Sequence, residues 1–397
     1  HLVLARLPDA PEGTKGISLF IVPKVLVNAD GSLGARNDVY CAGIEHKLGL
    51  NGNPTCTLNY GEKGGAVGYL VGEPNRGLEY MFVMMNAARF SVGVQGLAIA
   101  DRAYQSALQY AQERVQSREV GGRSKEAAPI IKHPDVRRML MSMKSQIEAM
   151  RALAYVSAAA LDFALKHPDD AVRKQNKAFI ELMIPVLKGW CTETATEICS
   201  TAVQVYGGMG YIEETGIAQQ YRDVKITAIY EGTTGIQALD LVGRKLIRDM
   251  GTTATSVVKR MKNAAAGLDE SNADVAAIKS VLNASIDALT DASQWIGMNA
   301  MSDLNTAFAC SVPYLRLWGI VAGGWQMARA AQIAAERLAS GNSDAFYAAK
   351  LATARFYADH VLSQAQFLKH EIVQGSASVM ALTEDQFELD RTSLVTA

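Results

Sequence analysis

The sequence predicts a mainly α-helical protein: part of an antiparallel β domain, then a helical bundle, then an additional C-terminal helical domain. Three observations carry this. The first seventy residues alternate short apolar runs with Gly/Asn/Pro clusters. From about Gly77 the apolar spacing becomes helical. Aromatic residues are only 7% while Ala-, Leu- and Met-rich stretches dominate, a balance that favours helix. At 397 residues the chain has room for two to three domains of roughly 100–200 residues, and the expected divisions are 1–74, 75–252 and 253–397.

The β region starts at His1, inside an extended stretch. Ile17-Ser18-Leu19-Phe20-Ile21-Val22 is a compact apolar run stopped by Pro23 and a turn at Asn28-Ala29-Asp30-Gly31. Strands are expected near Val39–Lys47, Thr55–Tyr60 and Ala66–Val71. Four short strands with few large residues cannot build a core alone, and the expectation is that the rest of their sheet lies upstream of His1.

Leu78, Met81, Phe82, Met85, Val92, Ile99 and Ala103 mark one stripe of a helix running to about Gln116. Gly93 and Gly96 weaken it intrinsically, so a close helix contact is expected there. A Gly/Ser-rich loop, Ser117–Ala128, ends it, and Pro134 opens the next helix, which runs to about Lys166. His167-Pro168-Asp169-Asp170 breaks the chain before a third helix toward Tyr206, whose Pro185 should kink or interrupt it. Gly207-Gly208-Met209-Gly210 stops that helix. A fourth begins after Glu231 and ends near Gly251. Beyond Ser256, helices are expected near Ala273–Asn299, Ser302–Ser340 with a break at Pro313, and Ser343–Lys369. A polar tail follows from Thr383, carrying Glu384, Asp385, Glu388 and Asp390.

Composition excludes several function classes. With 39 Lys+Arg against 40 Asp+Glu, no basic excess exists to neutralise phosphates, so no nucleic-acid partner is expected. Cys41, Cys56, Cys191, Cys199 and Cys310 are odd in number and scattered, which suits a reducing compartment, and Cys191 and Cys199 read as buried thiols. Neither C-x-x-C nor H-E-x-x-H occurs, so no metal is expected. No apolar run approaches the roughly 20 residues of a membrane span, and none is expected.

Generic motifs are scarce: G-x-G-x-x-G, the P-loop and G-x-S-x-G are absent. Taken alone, Gly207–Gly210 reads as a helix stop and Glu231 as a carboxylate favouring a helix N-terminus. Their combination is more informative. Val203-Gln204-Val205-Tyr206-Gly207-Gly208-Met209-Gly210-Tyr211 precedes Tyr221-Arg222-Asp223 and then Ile229-Tyr230-Glu231-Gly232-Thr233-Thr234-Gly235-Ile236-Gln237. Upstream stand Met85-Asn86-Ala87-Ala88-Arg89, Gln95-Gly96-Leu97-Ala98 and Tyr110-Ala111-Gln112-Glu113-Arg114-Val115-Gln116. In this order they resemble the C-terminal four-helix bundle of acyl-CoA dehydrogenases. Lys15–Val22 and His46-Lys47-Leu48-Gly49 resemble the later half of that family's middle β domain. The resemblance covers roughly residues 13–250 and is most similar to a long bacterial branch with an extra C-terminal helical domain, which includes methylmercaptopropionyl-CoA dehydrogenases. Residues 253–397 would be that domain, and the chain would lack the family's N-terminal part.

The resemblance implies FAD-dependent α,β-dehydrogenation of an acyl-CoA thioester to the trans-2-enoyl-CoA, with Glu231 taking the α-proton and the β-hydride passing to flavin N5. It implies cofactor contacts from Arg114, Gln116, Gln204, Gly207, Gly208 and Thr233, and substrate contacts from Arg89, Tyr230 and Gly232. It also implies an electron-transfer flavoprotein as electron acceptor, a cytoplasmic bacterial setting, and a homo-oligomer, dimer favoured over tetramer, with FAD across the subunit boundary. Ser117-Arg118, His133-Pro134 and Gly235 depart from the family pattern on the adenine side. Two alternatives are an acyl-CoA oxidase using oxygen and a non-enzymatic helical assembly module.

Overall fold

The computed structural model describes residues 1–122 and 125–388. Arg123 and Ser124 of the expected Ser117–Ala128 loop, and Asp390 of the polar tail, lie outside the described residues. The chain divides into two compact units, His1–Arg89 and Phe90–Ala397.

The first unit is built from small antiparallel sheets. β1 (Leu2–Arg6) pairs with β2 (Ile17–Ile21), which pairs with β7 (Tyr69–Val71). Two hairpins join β3 (Val25–Val27) to β4 (Leu33–Arg36) and β5 (Val39–Ile44) to β6 (Cys56–Tyr60). The four expected strands are present, and β3 and β4 flank the expected turn at Asn28–Gly31. Fully buried apolar side chains among the described residues of this unit are Leu19, Val22 and Val39. Polar side chains hold the rest. Asn37 Nδ2 donates to the carbonyls of Pro23 and Val67, each at 2.8 Å, while its Oδ1 accepts from Val67 N. α1 (Gly77–Glu113) begins against β2: a Cβ on Gly77 would sit 2.3 Å from the Ser18 carbonyl carbon, so only glycine fits.

The second unit is helical and centred on α3 (Asp170–Tyr206), which packs against α2 (Pro134–Lys166). Pro134 sits in the first turn of α2, and Asp169 caps α3 through Ala171 N at 2.8 Å. The expected interruption at Pro185 does not occur, and α3 is continuous through it. Its neighbours from Phe179 to Trp190 are largely buried, and packing on several sides offsets the one missing N–H bond. Gly207, at φ 60°, ends α3 as expected.

After α3 come α4 (Ile217–Lys225), α5 (Thr234–Asp240) and a π-helical continuation at Leu241–Ile247. α6 (Thr252–Ala266) and α7 (Ala273–Asn299) follow. The expected break at Pro313 falls instead at Cys310, between α8 (Leu304–Ala309) and α9 (Ser311–Ala339), because Pro313 occupies the tolerant first turn of α9. α10 (Ala345–His360) lies on α9. Trp190 of α3 fills a groove on α9, where a Cβ on Gly319 would meet its Cγ at 2.1 Å.

Expectations for the thiols and for membrane character fare differently. Cys191 and Cys199 are buried, and burial pushes the Cys191 thiol well up and the Cys199 thiol to about 12. No unbroken apolar run of about 20 residues occurs, as expected, but α1 is a helix long and apolar enough on average to cross a membrane, by length and composition only. Ala, Val and Met raise that average without an unbroken aliphatic run. In the second unit its face is a core face: Leu97, Ala100, Ala103, Ala107 and Ala111 are all buried.

Candidate active site

The segment between α4 and α5 carries Tyr230, Glu231 and Gly232, and its backbone is unusual. Glu231 has φ 56° and Gly232 φ 91°. A left-handed glutamate costs of order 1–3 kcal/mol and persists only when its surroundings over-determine it. Those surroundings are visible. On the N-terminal side, Ile229 N and Tyr230 N both donate to the Ile226 carbonyl, at 2.9 and 3.0 Å. Tyr230 Oη donates to Gln95 Oε1 on α1. On the C-terminal side, Gln237 Nε2 donates to the carbonyls of Glu231 (3.3 Å) and Gly232 (3.1 Å). Lys188 Nζ, from the middle of α3, donates to the Gly232 carbonyl at 2.6 Å. Thr233 caps α5 by accepting from Ile236 N at 3.3 Å, and Thr234 Oγ1 donates to Glu193 Oε1 at 2.6 Å.

The loop is therefore gripped by α1, α3 and α5, with the glutamate at its apex. Partial burial raises the Tyr230 phenol above its ordinary range; the Gln95 contact acts the other way, and the neighbouring Glu231 adds to the rise. With its phenol raised, Tyr230 stays neutral near pH 7.

The close helix contact expected at Gly93 and Gly96 lies directly beneath this loop. A Cβ on Gly93 would stand 3.1 Å from the Leu187 carbonyl, and one on Gly96 would stand 3.2 Å from Thr192 Cα. The small residues let α1 reach the backbone of α3 around Lys188.

The remaining expected residues gather elsewhere. Arg114 and Gln116 follow α1, in a strand-like segment where Ile130 N donates to the Arg114 carbonyl at 2.8 Å and Gln116 N to the Ala128 carbonyl at 3.0 Å. His133 Nε2 lies 2.7 Å from the Gln116 carbonyl. Gln204, Gly207 and Gly208 lie at the end of α3 and are exposed. Tyr110 stacks on Tyr206, and Tyr206 Oη donates to the Ser106 carbonyl at 3.3 Å, so the ends of α1 and α3 stand side by side. Gln95 and Tyr110 are fifteen residues apart on α1, or about 22 Å at 1.5 Å per residue. The Glu231 loop and the Arg114–Gln204 cluster thus occupy different places along one helix. Arg89 belongs to the first unit, on α1, with its side chain 6% exposed.

Arg114, Gln116 and Gln204 carry hydrogen-bond donors, while the Glu113 carboxylate stands near enough to Tyr206 to help raise its phenol. A Cβ on Gly207 or Gly208 would meet nothing within 4 Å, so backbone there is open to close approach. A cavity of about 500 Å³ lined by Leu246, Ala254, Val258, Thr290 and Gly297 among others contains none of the expected site residues.

Sequence reasoning missed the three side chains that hold the loop from outside it: Lys188, Gln95 and Glu193. One signal existed for Lys188, a lysine inside the apolar stretch Ile184–Cys191, since lysine is almost never fully buried without a partner.

Residues 75–247 match the family model described as acyl-CoA dehydrogenase, C-terminal domain, and residues 250–383 match one described as acetyl-CoA dehydrogenase C-terminal like. A 3-methylmercaptopropionyl-CoA dehydrogenase of Ruegeria pomeroyi is 48% identical over 91% of this chain and 61% of its own length. A broad-specificity linear acyl-CoA dehydrogenase of Mycobacterium tuberculosis is 35% identical over 98% of this chain and 66% of its own. The solved structure of a Bacillus anthracis acyl-CoA dehydrogenase complexed with FAD, 19% identical, superposes with a TM-score of 0.71 over 99% of this chain and 62% of that one, a likeness of fold. The chain spans somewhat under two thirds of the length of these relatives.

Proposed function

The chain belongs to the acyl-CoA dehydrogenase family, with that family's extra C-terminal domain, and from this premise we propose that it forms the catalytic part of an FAD-dependent acyl-CoA dehydrogenase with Glu231 as its base. The observation that carries the reading is the left-handed Glu231, held from three helices at the apex of a loop. Strain kept in place by so many contacts belongs to a residue whose position matters.

The chemistry asks for such a group. An α C–H beside a thioester is too weak an acid for a free carboxylate at neutral pH. Donors at the thioester oxygen, the Glu231 backbone N–H among them, would stabilise the charge that develops there as a positioned carboxylate takes the proton. Gly232 and Tyr230 shape the space beside the base, and Arg89 attends the CoA path. FAD, when bound, supplies the hydride acceptor.

The donor-rich cluster of Arg114, Gln116, Gln204, Gly207 and Gly208 would hold FAD phosphate or adenosine, and Thr233 would lie near the diphosphate. Because that cluster sits about 22 Å along α1 from the Glu231 loop, each chain would supply its base to one flavin and its cluster to a neighbour's. This supports a homo-oligomer, a dimer over a tetramer. The proposed divisions remain 1–74, 75–252 and 253–397, the setting a bacterial cytoplasm, and the electron acceptor an electron-transfer flavoprotein.

The experiment is anaerobic titration of the complete, FAD-loaded protein with a series of acyl-CoAs, 3-methylmercaptopropionyl-CoA included. Bleaching of the flavin absorbance is expected. No bleaching by any saturated acyl-CoA would defeat the reading, and hydrogen peroxide formed in step with product in air would mark an oxidase instead.

A further inference from the structure

We propose that Lys188 is a positioning residue for the base: its amine, buried in the middle of α3, fixes the peptide plane after Gly232, one residue beyond Glu231, and through the left-handed pair sets where the carboxylate stands. The inference rests on the assignment of Glu231 given above, but its evidence is separate.

Lys188 is 0% exposed. It lies in Ile184-Pro185-Val186-Leu187-Lys188-Gly189-Trp190-Cys191, where every neighbour named is buried. Apolar packing alone would be served as well or better by methionine or leucine, because taking an amine out of water is costly even when it is well hydrogen-bonded. What the lysine adds is reach and a donor. Its Nζ meets the Gly232 carbonyl at 2.6 Å, across forty-four residues of chain.

That carbonyl is the informative one. Gly232, at φ 91°, and Glu231, at φ 56°, are consecutive left-handed residues, a pair with little intrinsic preference for its geometry. Gln237 Nε2 grips the carbonyls of both, but it projects from α5, the helix that the loop itself leads into. Lys188 grips the Gly232 carbonyl from α3, the central helix, where Glu193 holds only the later Thr234. α1 closes against α3 at the same level, with the Cβ of a non-glycine residue at 93 meeting Leu187 and Lys188 at 3.1–3.3 Å. Thus α1 packs on the backbone from which the lysine stem, itself fully buried, sets out. Loop, lysine and helix form one preorganised support for the base, the arrangement expected where a small misplacement is expensive in rate.

The test uses the complete protein carrying Lys188→Met, Lys188→Arg or Glu231→Gln beside the wild type, read three ways. Flavin bleaching by saturating acyl-CoA should fall roughly a hundredfold in Lys188→Met, the scale of a displacement of about 1 Å, while acyl-CoA affinity changes little and the Tm holds or rises. Lys188→Arg, which keeps a donor, should retain more of the rate than Lys188→Met. Amide hydrogen exchange on the flavin-free protein should accelerate in Lys188→Met at residues 231–234 and not along α3 or α9. A wild-type rate with unchanged loop exchange would overturn the proposal. So would a lowered Tm with faster exchange throughout the helices, which is what a merely structural lysine predicts, and so would equal losses in the Met and Arg variants. If Lys188→Met does not fold, Lys188→Arg decides: a lowered rate with faster exchange confined to residues 231–234 supports the proposal, while faster exchange throughout the helices, or a lowered rate with unchanged loop exchange, overturns it. Should Glu231→Gln bleach as fast as wild type, the choice of base fails, and loop exchange still judges Lys188.

Discussion

Tyr110 lies flat on Tyr206, ring centroids 4.1 Å apart and planes 13° from parallel, and this stack fastens the end of α1 to the end of α3. Arg114 follows one ring by a single helical turn, and Gln204, Gly207 and Gly208 flank the other. The stack is thus the tether of the proposed cofactor cluster. Replacing Tyr110 with Leu keeps apolar volume but removes the aromatic pairing, worth about 1 kcal/mol beyond burial. The expected result is a modest drop in Tm and a clear loss of FAD retention in equilibrium dialysis of the complete protein. A lower Tm with unchanged FAD affinity would mean that the two segments do not share a ligand.

Separation of that cluster from the Glu231 loop leads to a complementation experiment. Arg114→Ala and Glu231→Gln should each abolish or cripple turnover when alone. If each chain lends its cluster to a neighbour's flavin, mixed oligomers hold one site carrying both changes and one carrying neither. Activity should therefore reappear when the two variants are co-expressed. Mixed oligomers that remain inactive would place both groups in the same site.

Two glycines should respond to substitution with opposite signs. Gly96→Val pushes side-chain atoms into Thr192, already 3.2 Å from a Cβ, and should cost about 1–3 kcal/mol. Gly297 lies in α7 with nothing within 4 Å of a Cβ, so Gly297→Ala should gain up to about 1 kcal/mol through helix propensity and a less flexible unfolded chain. Urea midpoints measure both, and a stabilising Gly96→Val would deny the close approach of α1 to α3.

How much of this the sequence disclosed depends on range. Pro134, Asp169 and Gly207 announce helix ends through chemistry confined to a few residues, and α2 and α3 begin and end where that chemistry puts them. Motif order was equally local, and it located the Glu231 loop and the family. Pro185 does not interrupt α3 because its cost is local while the packing that offsets it is tertiary. Pro313 misled by one turn, since a proline at a helix start is tolerated and the break went to the end of the short helix capped by Asp303. α4 and α6 went unread: α4 has nine residues, and α6 opens on Thr252-Thr253 just after a left-handed glycine, a weak start signal. The grip of Lys188 on Gly232 and of Tyr230 on Gln95 spans 44 and 135 residues. No spacing rule links residues so far apart.

Alkaline pH should unfold the second unit through its buried tyrosines. Burial holds the Tyr314 phenol up to about 12 and pushes Tyr357 well above its usual value. Both are fully buried, with Tyr314 Oη 2.8 Å from Ser293 Oγ and Tyr357 Oη donating to the Ile320 carbonyl at 3.0 Å. A raised folded-state pKa contributes stability that is complete below the unfolded value near 10 and is lost as pH rises toward the folded one. For Tyr314 alone the loss between pH 10 and 12 is on the order of 3 kcal/mol. Tyrosinate absorbance should therefore rise in two phases, exposed phenols first and the buried pair together with loss of helix. A single phase near pH 10 with the helices intact would contradict the burial of these rings.

Glu231→Gln is the most direct test of the base. Glutamine nearly matches glutamate in size, so the contacts from Gln237 and Lys188 to the backbone of residues 231 and 232 can survive, and so can the left-handed backbone they hold. What is lost is the ability of a carboxylate to accept a proton. Folding and FAD content should stay near wild type, and acyl-CoA binding should be kept or strengthened, because a negative charge has left the site. Reduction of flavin by acyl-CoA should fall by about four orders of magnitude, at the upper end of the 10²–10⁴ that general acid–base catalysis contributes. Tyr230 cannot take over, since its phenol is raised and remains protonated at neutral pH. If Glu231 served only to favour the start of α5, the same change would cost about 0.3–1 kcal/mol of stability and leave turnover intact. Stopped-flow bleaching separates the two outcomes, and a variant within tenfold of the wild-type rate removes Glu231 from the role of base.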